Sequence, residues 1–142
     1  MADSFEGAKK AIEVAIIMAA NAVPIPHCVE DAGDIIKVGG EFIDAFSTDV
    51  DWFMFSVEDE DKKGITVGNT LNRIYGSVTF TVYSPVGQAA TGGAKITDFV
   101  YKNFQATRLE NILMRNVKTI SKFKLQGWTV KVLQVPFQFN VQ

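Results

Sequence analysis

A pair of glycines that follows a strand-like run is the first feature of this sequence that could form a site for chemistry. Gly87 and Gly92 have four residues between them, the spacing of a phosphate-binding P-loop. That motif continues with a lysine and a serine or threonine, which reach the phosphates and hold magnesium. Gly93 and Ala94 stand at those two positions, and Lys95 comes two residues late. We therefore interpret the segment as the start of a helix and not as a nucleotide site.

His27 and Cys28 are the chain's one histidine and one cysteine. Adjacent residues of an extended segment point to opposite faces, so the two side chains make a poor base and nucleophile pair. As zinc ligands they would need further soft ligands, which the sequence does not supply. A Ser-His-Asp site would have to use His27, and no Gly-x-Ser-x-Gly elbow is present. Both residues are predicted to be structural.

Paired carboxylates are the last candidates, at Asp49 with Asp51 and in the run 58–61. They stand in polar stretches without the apolar surroundings that raise a carboxyl pKa, and their spacing is not that of an EF-hand. We expect a solvated surface there. The prediction is of no catalytic residue, no metal ligand and no cofactor, so the chain is not expected to be an enzyme. A small intracellular enzyme or ligand-binding domain using His27, Cys28 and the acidic segment remains the alternative.

The composition predicts one globular domain over residues 1–142. Of these residues 47% are hydrophobic and 21% charged, which is typical of a folded domain of ordinary size. One cysteine cannot form an internal disulfide, so we expect folding in a reducing compartment. The apolar run 11–23 is interrupted by Glu13 and is too short for a membrane span, so we expect a packing helix and neither a signal peptide nor a membrane partner.

Periodicity predicts the two helices. Ser4 is placed as the N-cap of the first, whose apolar stripe is Phe5, Ala8, Ile12, Ile16 and Ala19. The second is predicted over residues 88–104, with its stripe at Ala89, Gly93, Ile96, Phe99, Val100 and Phe104.

Alternation predicts the strands. Residues 74–83 carry an apolar face at even positions and a mixed aromatic and hydroxyl face at odd positions, and residues 84–87 form the turn that follows. Residues 52–57 form another strand, ahead of a solvated loop over 58–64. The acidic segment 29–51 is either a long loop or a strand pair, 35–38 with 41–45.

The last third predicts two strands joined by a hairpin at Gln126-Gly127, with a bulge near Lys118. In the final strand the apolar residues change face, from Trp128, Val130 and Val132 to Leu133, Val135, Phe137 and Phe139, and Pro136 favours an edge position or a bulge. The expected fold class is α+β: a single domain with a largely antiparallel sheet of four to six strands and two amphipathic helices packed on one face.

Charge is unevenly divided along the chain. Residues 1–61 hold 14 acidic and 3 basic side chains, a net charge of −11, whereas residues 62–107 carry +4 and residues 108–142 carry +5. Such asymmetry favours association with a surface of opposite sign, which another copy of the chain can provide. The basic last third is interpreted first as an ordinary solvated strand face, and contact with DNA or with an acidic protein is the alternative.

The strand and turn at 73–87, with the small-residue helix start at 88–94, resemble the tail terminator-like proteins of long-tailed bacteriophages. The closing run 127–139, which ends in Val135-Pro136-Phe137-Gln138-Phe139, looks like that family's last strand, and residues 4–21 stand where the family has its first helix. The acidic segment 29–51 departs from the shorter members of the family.

The resemblance implies a virion protein of the tail or neck, assembled in the host cytoplasm. It would form a ring, a hexamer, on the head-proximal end of the tail tube, stop tube growth and present the surface that joins the head-tail connector or neck protein. Its partners would be itself, the tail tube protein and the connector, with DNA passing through the lumen without sequence-specific binding. A neck or head-completion protein, or a tube subunit, is the alternative within the same virion.

The subunit or tube interface is predicted at three places: the charged run 58–63, the odd face of the strand 74–83, and the basic last third. The residues are Glu58, Asp59, Glu60, Asp61, Lys62, Lys63, Tyr75, Thr79, Tyr83, Arg115, Lys118, Lys122 and Lys124.

Overall fold

A computed structural model describes residues 3–60, 72–87 and 93–141, and in these ranges it contains two α-helices, two short 3-10 helices and nine strands. The α-helices are α1 (Phe5–Ala22) and α2 (Ala94–Phe104). The strands are β1 (His27–Val29), β2 (Ile35–Val38), β3 (Glu41–Asp44), β4 (Trp52–Asp59), β5 (Asn72–Pro85), β6 (Arg108–Leu109), β7 (Ile112–Met114), β8 (Lys118–Leu125) and β9 (Trp128–Val141).

The pairing of β5 with β9 is the centre of the main sheet. The two strands run antiparallel over their full length, with Asn72 opposite Val141 and Pro85 opposite Trp128. β4 pairs antiparallel with the other side of β5, and β1 pairs parallel with β4. The far side of β9 is shared, because β8 pairs with its first half and β7 with its second. The main sheet has seven strands in the described ranges, against the four to six expected, and its largely antiparallel α+β architecture confirms the predicted class.

Both helices cover the same face of this sheet, which we call the helix face. The N-cap prediction for α1 is confirmed, since the Ser4 hydroxyl accepts a hydrogen bond from the Gly7 amide at 3.0 Å. The buried positions of α1 recur every four residues, and Ala20 is buried in place of the expected Ala19. One continuous core joins α1 and α2 to the sheet; its helix residues are Ala8, Ile12, Ile16, Ala20, Ile96, Phe99, Val100 and Phe104.

A second core lies on the opposite face, under the antiparallel pair of β2 and β3. This pair, the β2–β3 hairpin, confirms the strand-pair interpretation of the acidic segment. Ile36 and Ala45 are buried beneath it, against Trp52, Trp128 and Val130. We call this side of the sheet the hairpin face. The acidic segment therefore has a structural role, because it closes one end of a sheet face that the helices do not cover.

The predicted change of face in the final strand is confirmed. Trp128 and Val130 are buried in the core of the hairpin face, while Leu133, Val135, Phe137 and Phe139 are buried in that of the helix face. The hairpin at Gln126-Gly127 is also as predicted, and the register shift between Thr119 and Ser121 is the expected bulge. Residues 112–117 do not belong to β8, however, since Ile112–Met114 forms the separate strand β7.

The expectation for Pro136 was wrong, because β9 lies inside the sheet and not at its edge. Pro136 lies opposite Ser77 on β5, and its carbonyl oxygen accepts a hydrogen bond from the Arg115 amide on the far side at 2.7 Å. The N and C=O of one strand residue point the same way, so the ring nitrogen also faces that far side. There the partner strand changes from β8 to β7, and the missing N–H of proline falls at this break.

Two element boundaries also differ from expectation. β4 continues to Asp59, so Glu58 and Asp59 are exposed strand residues and not loop residues; residues 61–64 lie outside the described ranges. α2 begins at Ala94, and Gly93 precedes it with φ +78°, a left-handed conformation that suits glycine. The expected start over residues 88–92 also lies outside the described ranges.

Gly76 is required where β5 passes under the Phe137 ring. A Cβ at this position would overlap the Phe137 ring and lie 2.7 Å from the Glu58 carbonyl oxygen, and neither the buried ring nor the strand backbone has room to yield. We predict that Gly76→Ala lowers the free energy of unfolding by about 1–3 kcal/mol, measured by urea denaturation. Thr79→Ala, on the other face of the same strand, is the control and should cost less than about 1 kcal/mol. Equal effects of the two changes would contradict this account.

Candidate subunit interface

The only histidine and cysteine of the chain do not form a site. Cys28 is 6% exposed and packs in the core of the hairpin face. His27 stacks on Phe53, a residue of the opposite core, with ring centroids 5.6 Å apart, and its Nδ1 lies 2.8 Å from the Ile25 carbonyl oxygen. Their opposite orientation is as predicted. No sulfur–imidazole pair results from it.

The Cys28 thiol is held in its neutral form at neutral pH. Burial raises its pKa to about 11, with the nearby negative charge of Asp34 as the second cause. The thiolate is the nucleophile and the metal ligand, so this environment disfavours both kinds of chemistry. In the part of the chain that the structure describes, no group of three or more histidine, cysteine or acidic side chains is placed to hold a metal ion.

The candidate carboxylates are dispersed. Asp49 is exposed, whereas Asp51 is half-buried and accepts a hydrogen bond from the Ser84 hydroxyl at 2.7 Å. Glu58 and Asp59 are exposed at the end of β4, beyond the segment 53–55 that β1 covers. This last part of β4 pairs with β5 on one side, and on its other side no described strand lies beside it, so its acidic side chains stand at the edge of the described sheet.

β8 forms an edge on the opposite side of the sheet. All eight of its residues are exposed, and among the described strands it pairs only with β9. It carries Lys118, Lys122 and Lys124 together with Ile120, Phe123 and Leu125, three large apolar side chains that are 43–53% exposed. A long exposed edge strand is a template for pairing with another chain, and lysines on it restrict which chain can approach.

Register shows which way the side chains of β8 point. Phe123 lies opposite Val130 and Leu125 opposite Trp128, so both project on the hairpin face. Lys122 lies opposite Lys131 and therefore projects on the helix face, and Lys124 projects with it. Lys118 lies opposite Gln134 and projects on the hairpin face, so two of the three lysines of β8 lie on the side away from Phe123 and Leu125.

The predicted interface residues on β5 divide into two groups. Tyr75 and Thr79 are half-buried on the part of the hairpin face where the sequence predicted a contact surface. Tyr83 instead stacks on Trp52, with ring centroids 4.3 Å apart and planes at 11°, and Phe46 meets both rings edge-on. Burial, and after it the negative charge of Asp34, raises the pKa of Tyr83. Tyr83 is itself half-buried and packs against the core of the hairpin face, and its place in an interface stays a prediction.

The other predicted residues lie apart from these. Glu60 follows β4, and its amide donates to the Tyr75 carbonyl oxygen at 3.0 Å. Arg115 is exposed in the link between β7 and β8, and Lys118 starts β8 opposite Gln134. Asp61, Lys62 and Lys63 lie outside the described ranges. The structure therefore places acidic candidates at the β4 edge and basic candidates at the β8 edge, with β5 and β9 between them.

An open groove was missed by the sequence reasoning. It lies between the chain entering β1 and the outward side of the β2–β3 hairpin, and its volume is about 760 Å³. Phe42 and Ile35, which line it, are 73% and 52% exposed. The signal was present in Ile35-Ile36: adjacent apolar residues in a strand occupy both faces, so one of them needs a second contact. We call this feature the Phe42 groove.

Because the pKa of Cys28 is raised, the free energy of unfolding depends on pH in the alkaline range. The thiol ionises near pH 9.0 when exposed and near 11 when folded, so its contribution is fully present below pH 9 and is lost as pH rises through 11. We predict that the free energy of unfolding falls between pH 9 and 11, measured by urea titration of tryptophan fluorescence. Cys28→Ala should fall less steeply. Tyr83 acts in the same direction in both proteins, so parallel curves for the two would contradict the prediction.

Comparison with known proteins adds evidence on the fold alone. No helix in the described ranges is long and apolar enough to cross a membrane. No protein-family model matches the chain, and no curated protein matches it. Five solved chains match. One of them, whose name describes no activity or partner, aligns over 92% of this chain and 94% of its own, with a TM-score of 0.54 and 10% sequence identity. This chain therefore shares its fold with a solved protein.

Proposed function

We propose that this chain is a virion structural protein that forms a ring, a hexamer, on the head-proximal end of a phage tail tube. The ring ends polymerisation of the tube and offers its other side to the head connector, with DNA passing through its lumen. The proposal is supported by the resemblance of the strand, turn and helix start over 73–94 and of the closing strand over 127–139. It also rests on the distribution of charge over the folded sheet.

The observation that carries the proposal is the opposite charge of the two sheet edges. Glu58 and Asp59 occupy the end of β4, and Lys118, Lys122 and Lys124 occupy β8. The strand order places β5 and β9 between them, a separation of about 14 Å at the usual strand spacing. Like edges of two copies repel each other and unlike edges attract. This favours head-to-tail contacts, which close into a ring when the rotation between copies closes.

A tail tube subunit or a neck protein would use the same kind of contact. Head-to-tail contacts that do not close produce filaments, so a tube subunit is expected to form long tubes and a terminator single rings. Negative-stain images distinguish these two outcomes directly. A small enzyme or ligand-binding domain belongs to a different class, and the Phe42 groove is the feature that would serve it. A thermal-shift screen with nucleotides and divalent metals tests that reading, and a flat response rejects it.

We predict that the purified protein forms rings whose stability falls with ionic strength. Screening shortens the reach of charges from about 10 Å at 0.1 M salt to about 3 Å at 1 M, which weakens contacts between charged edges. Size-exclusion chromatography with light scattering at several salt concentrations measures the mass. A monomer at high protein concentration and low salt, together with no binding to tubes of the tail tube protein from the same genome, would contradict the proposal.

Charge reversal on β8 tests whether the lysines of this strand, rather than other exposed lysines, are needed for ring assembly. Lys118→Glu, Lys122→Glu and Lys124→Glu together should abolish the ring at a protein concentration where the unmodified chain is fully assembled. The control reverses three exposed lysines on the helices, Lys10, Lys95 and Lys102, which changes the net charge by the same amount. The control variant should still assemble. Loss of the ring in both variants would show that net charge and not the β8 edge governs assembly.

A further inference from the structure

We propose that the cleft between the end of β7 and the start of β8 binds a phosphate group, either free phosphate or the terminal phosphate of a small phosphomonoester. Arg115 and Lys118 supply the positive charge of this site. The site lies within one protomer, so it does not depend on the ring, and it adds a small-molecule ligand to the structural role proposed above.

The cleft is a gap in the sheet beside β9. The described strands that pair with the far side of β9 stop at Phe137 and resume at Gln134. Pro136 lies in this interval, and its ring nitrogen cannot donate to a further strand. The gap has a volume of about 500 Å³, and five of the residues that line it are Leu113, Arg115, Asn116, Lys118 and Pro136. We call it the Arg115 cleft.

Register places the Arg115 cleft on the hairpin face. Lys118 lies opposite Gln134, and Gln134 projects on this face because both of its chain neighbours are buried in the core of the helix face. Pro136 projects there for the same reason. Arg115 is exposed and lines the same cleft as Lys118. The two cations therefore border one space, away from the other two lysines of β8, which project on the helix face.

Hydrogen bonds fix the backbone around the Arg115 cleft. The Ala106 amide donates to the Arg115 carbonyl oxygen at 3.1 Å. The Gln105 side chain forms a bridge, because its Oε1 accepts from the Val117 amide at 2.5 Å and its Nε2 donates to the Asn116 Oδ1 at 3.4 Å. Asn116 uses its side-chain oxygen in this bridge, so its NH₂ group is the part that can donate to a ligand. A backbone fixed in advance lowers the cost of ordering the site on binding.

The charge of the Arg115 cleft selects an anion. Arg115 and Lys118 are the charged residues among its described lining, and both are cationic. Glu58 projects on the same face, but β5 lies between β4 and β9, which places Glu58 about 10 Å from Pro136 at the usual strand spacing. An anion in the cleft therefore meets two positive charges and no carboxylate of the described lining.

The donors of the cleft match a phosphate better than a carboxylate. The planar guanidinium of Arg115 can donate to two oxygens of one anion, and the Lys118 ammonium is a point charge that suits a further oxygen. A terminal phosphate offers three oxygens and about 1.5 to 2 negative charges at neutral pH, whereas a carboxylate offers two oxygens and a single charge. The rest of the described lining is mostly apolar and can contact the organic part of a phosphomonoester; it includes Ala106, Leu113, Met114 and Pro136.

Isothermal titration calorimetry at constant ionic strength tests the ligand class with inorganic phosphate, phenyl phosphate and benzoate. We expect inorganic phosphate to bind with a dissociation constant on the order of 1 mM, and phenyl phosphate to bind more tightly because its ring adds apolar contact. Benzoate carries the same ring on a carboxylate and should bind at least about tenfold more weakly than phenyl phosphate. Equal affinity for these two compounds, or no saturable binding of either phosphate at about 20 mM, would overturn the site.

Matched charge changes on the two sides of β8 test the residues. Arg115→Gln and Lys118→Gln should each raise the dissociation constant of phenyl phosphate at least about fivefold, and Arg115→Lys, which keeps the charge but not the fork, should have an intermediate effect. Lys122→Gln and Lys124→Gln remove the same charge from the helix face and should change it less than about twofold. An equal loss in all four glutamine variants would assign binding to net charge and not to the cleft. Circular dichroism of each variant checks the fold.

Light scattering of the same samples separates the site from the ring. If the chain is monomeric at every salt concentration and phosphate still binds through Arg115, the ring falls and the site stands. If rings form and neither phosphate binds, the site is overturned and the ring stands. Binding of duplex DNA that is lost in Arg115→Gln, without binding of phenyl phosphate, would assign the cleft to the DNA backbone and overturn the small ligand. Thermal stabilisation by a nucleotide should likewise be lost in Arg115→Gln, and stabilisation that persists in this variant would contradict the cleft.

Discussion

The fold depends on one antiparallel pairing, that of β5 with β9 over fourteen residues of each strand. The apolar side chains of this strand pair lie at different positions along its two faces. The side chains of β5 at Val78, Phe80 and Val82 build the core under the helices, while β9 contributes to the core of the hairpin face near its start and to the helix face from Leu133 onward. A single regular strand thus holds two cores together. Neither core survives a slip of this register, because a one-residue shift would exchange every buried side chain for an exposed one.

The length of β9 also creates the free edge. No single described strand accompanies its far side, since β7 ends opposite Phe137 and β8 begins opposite Gln134, with Pro136 at the break. Among the described strands β8 therefore pairs only with β9, and none of its own side chains is buried. Such an edge is a hazard for a monomer, and the lysines along it reduce non-specific pairing. The same lysines favour an acidic surface over a basic one as the neighbour of β8.

Local signals in the sequence predicted most of the elements, and contacts between distant segments explain the rest. The Ser4 cap, the alternation in β5 and the turn at Gln126-Gly127 depend on neighbours in the chain, and each is found. The position of Pro136 depends on where β7 and β8 end, which no local pattern gives. The stacking of Tyr83 on Trp52 likewise has no local signal, because it arises only once β4 and β5 pair. The Phe42 groove lies between segments that meet only after the hairpin has folded over the sheet.

The β2–β3 hairpin and β8 differ in what they contribute to the folded protomer. The β2–β3 hairpin covers a core and also presents a surface. Ile36 and Ala45 bury the indole of Trp52, whose Nε1 has no hydrogen-bond partner among the described residues, while Phe42 and Asp44 point away from that core. Deleting the acidic segment would therefore unfold one face of the sheet and reveal nothing about assembly. β8 buries none of its own side chains, so exchanging its lysines leaves both cores intact. Substitutions of the β8 lysines can therefore test the proposed assembly without disturbing the fold.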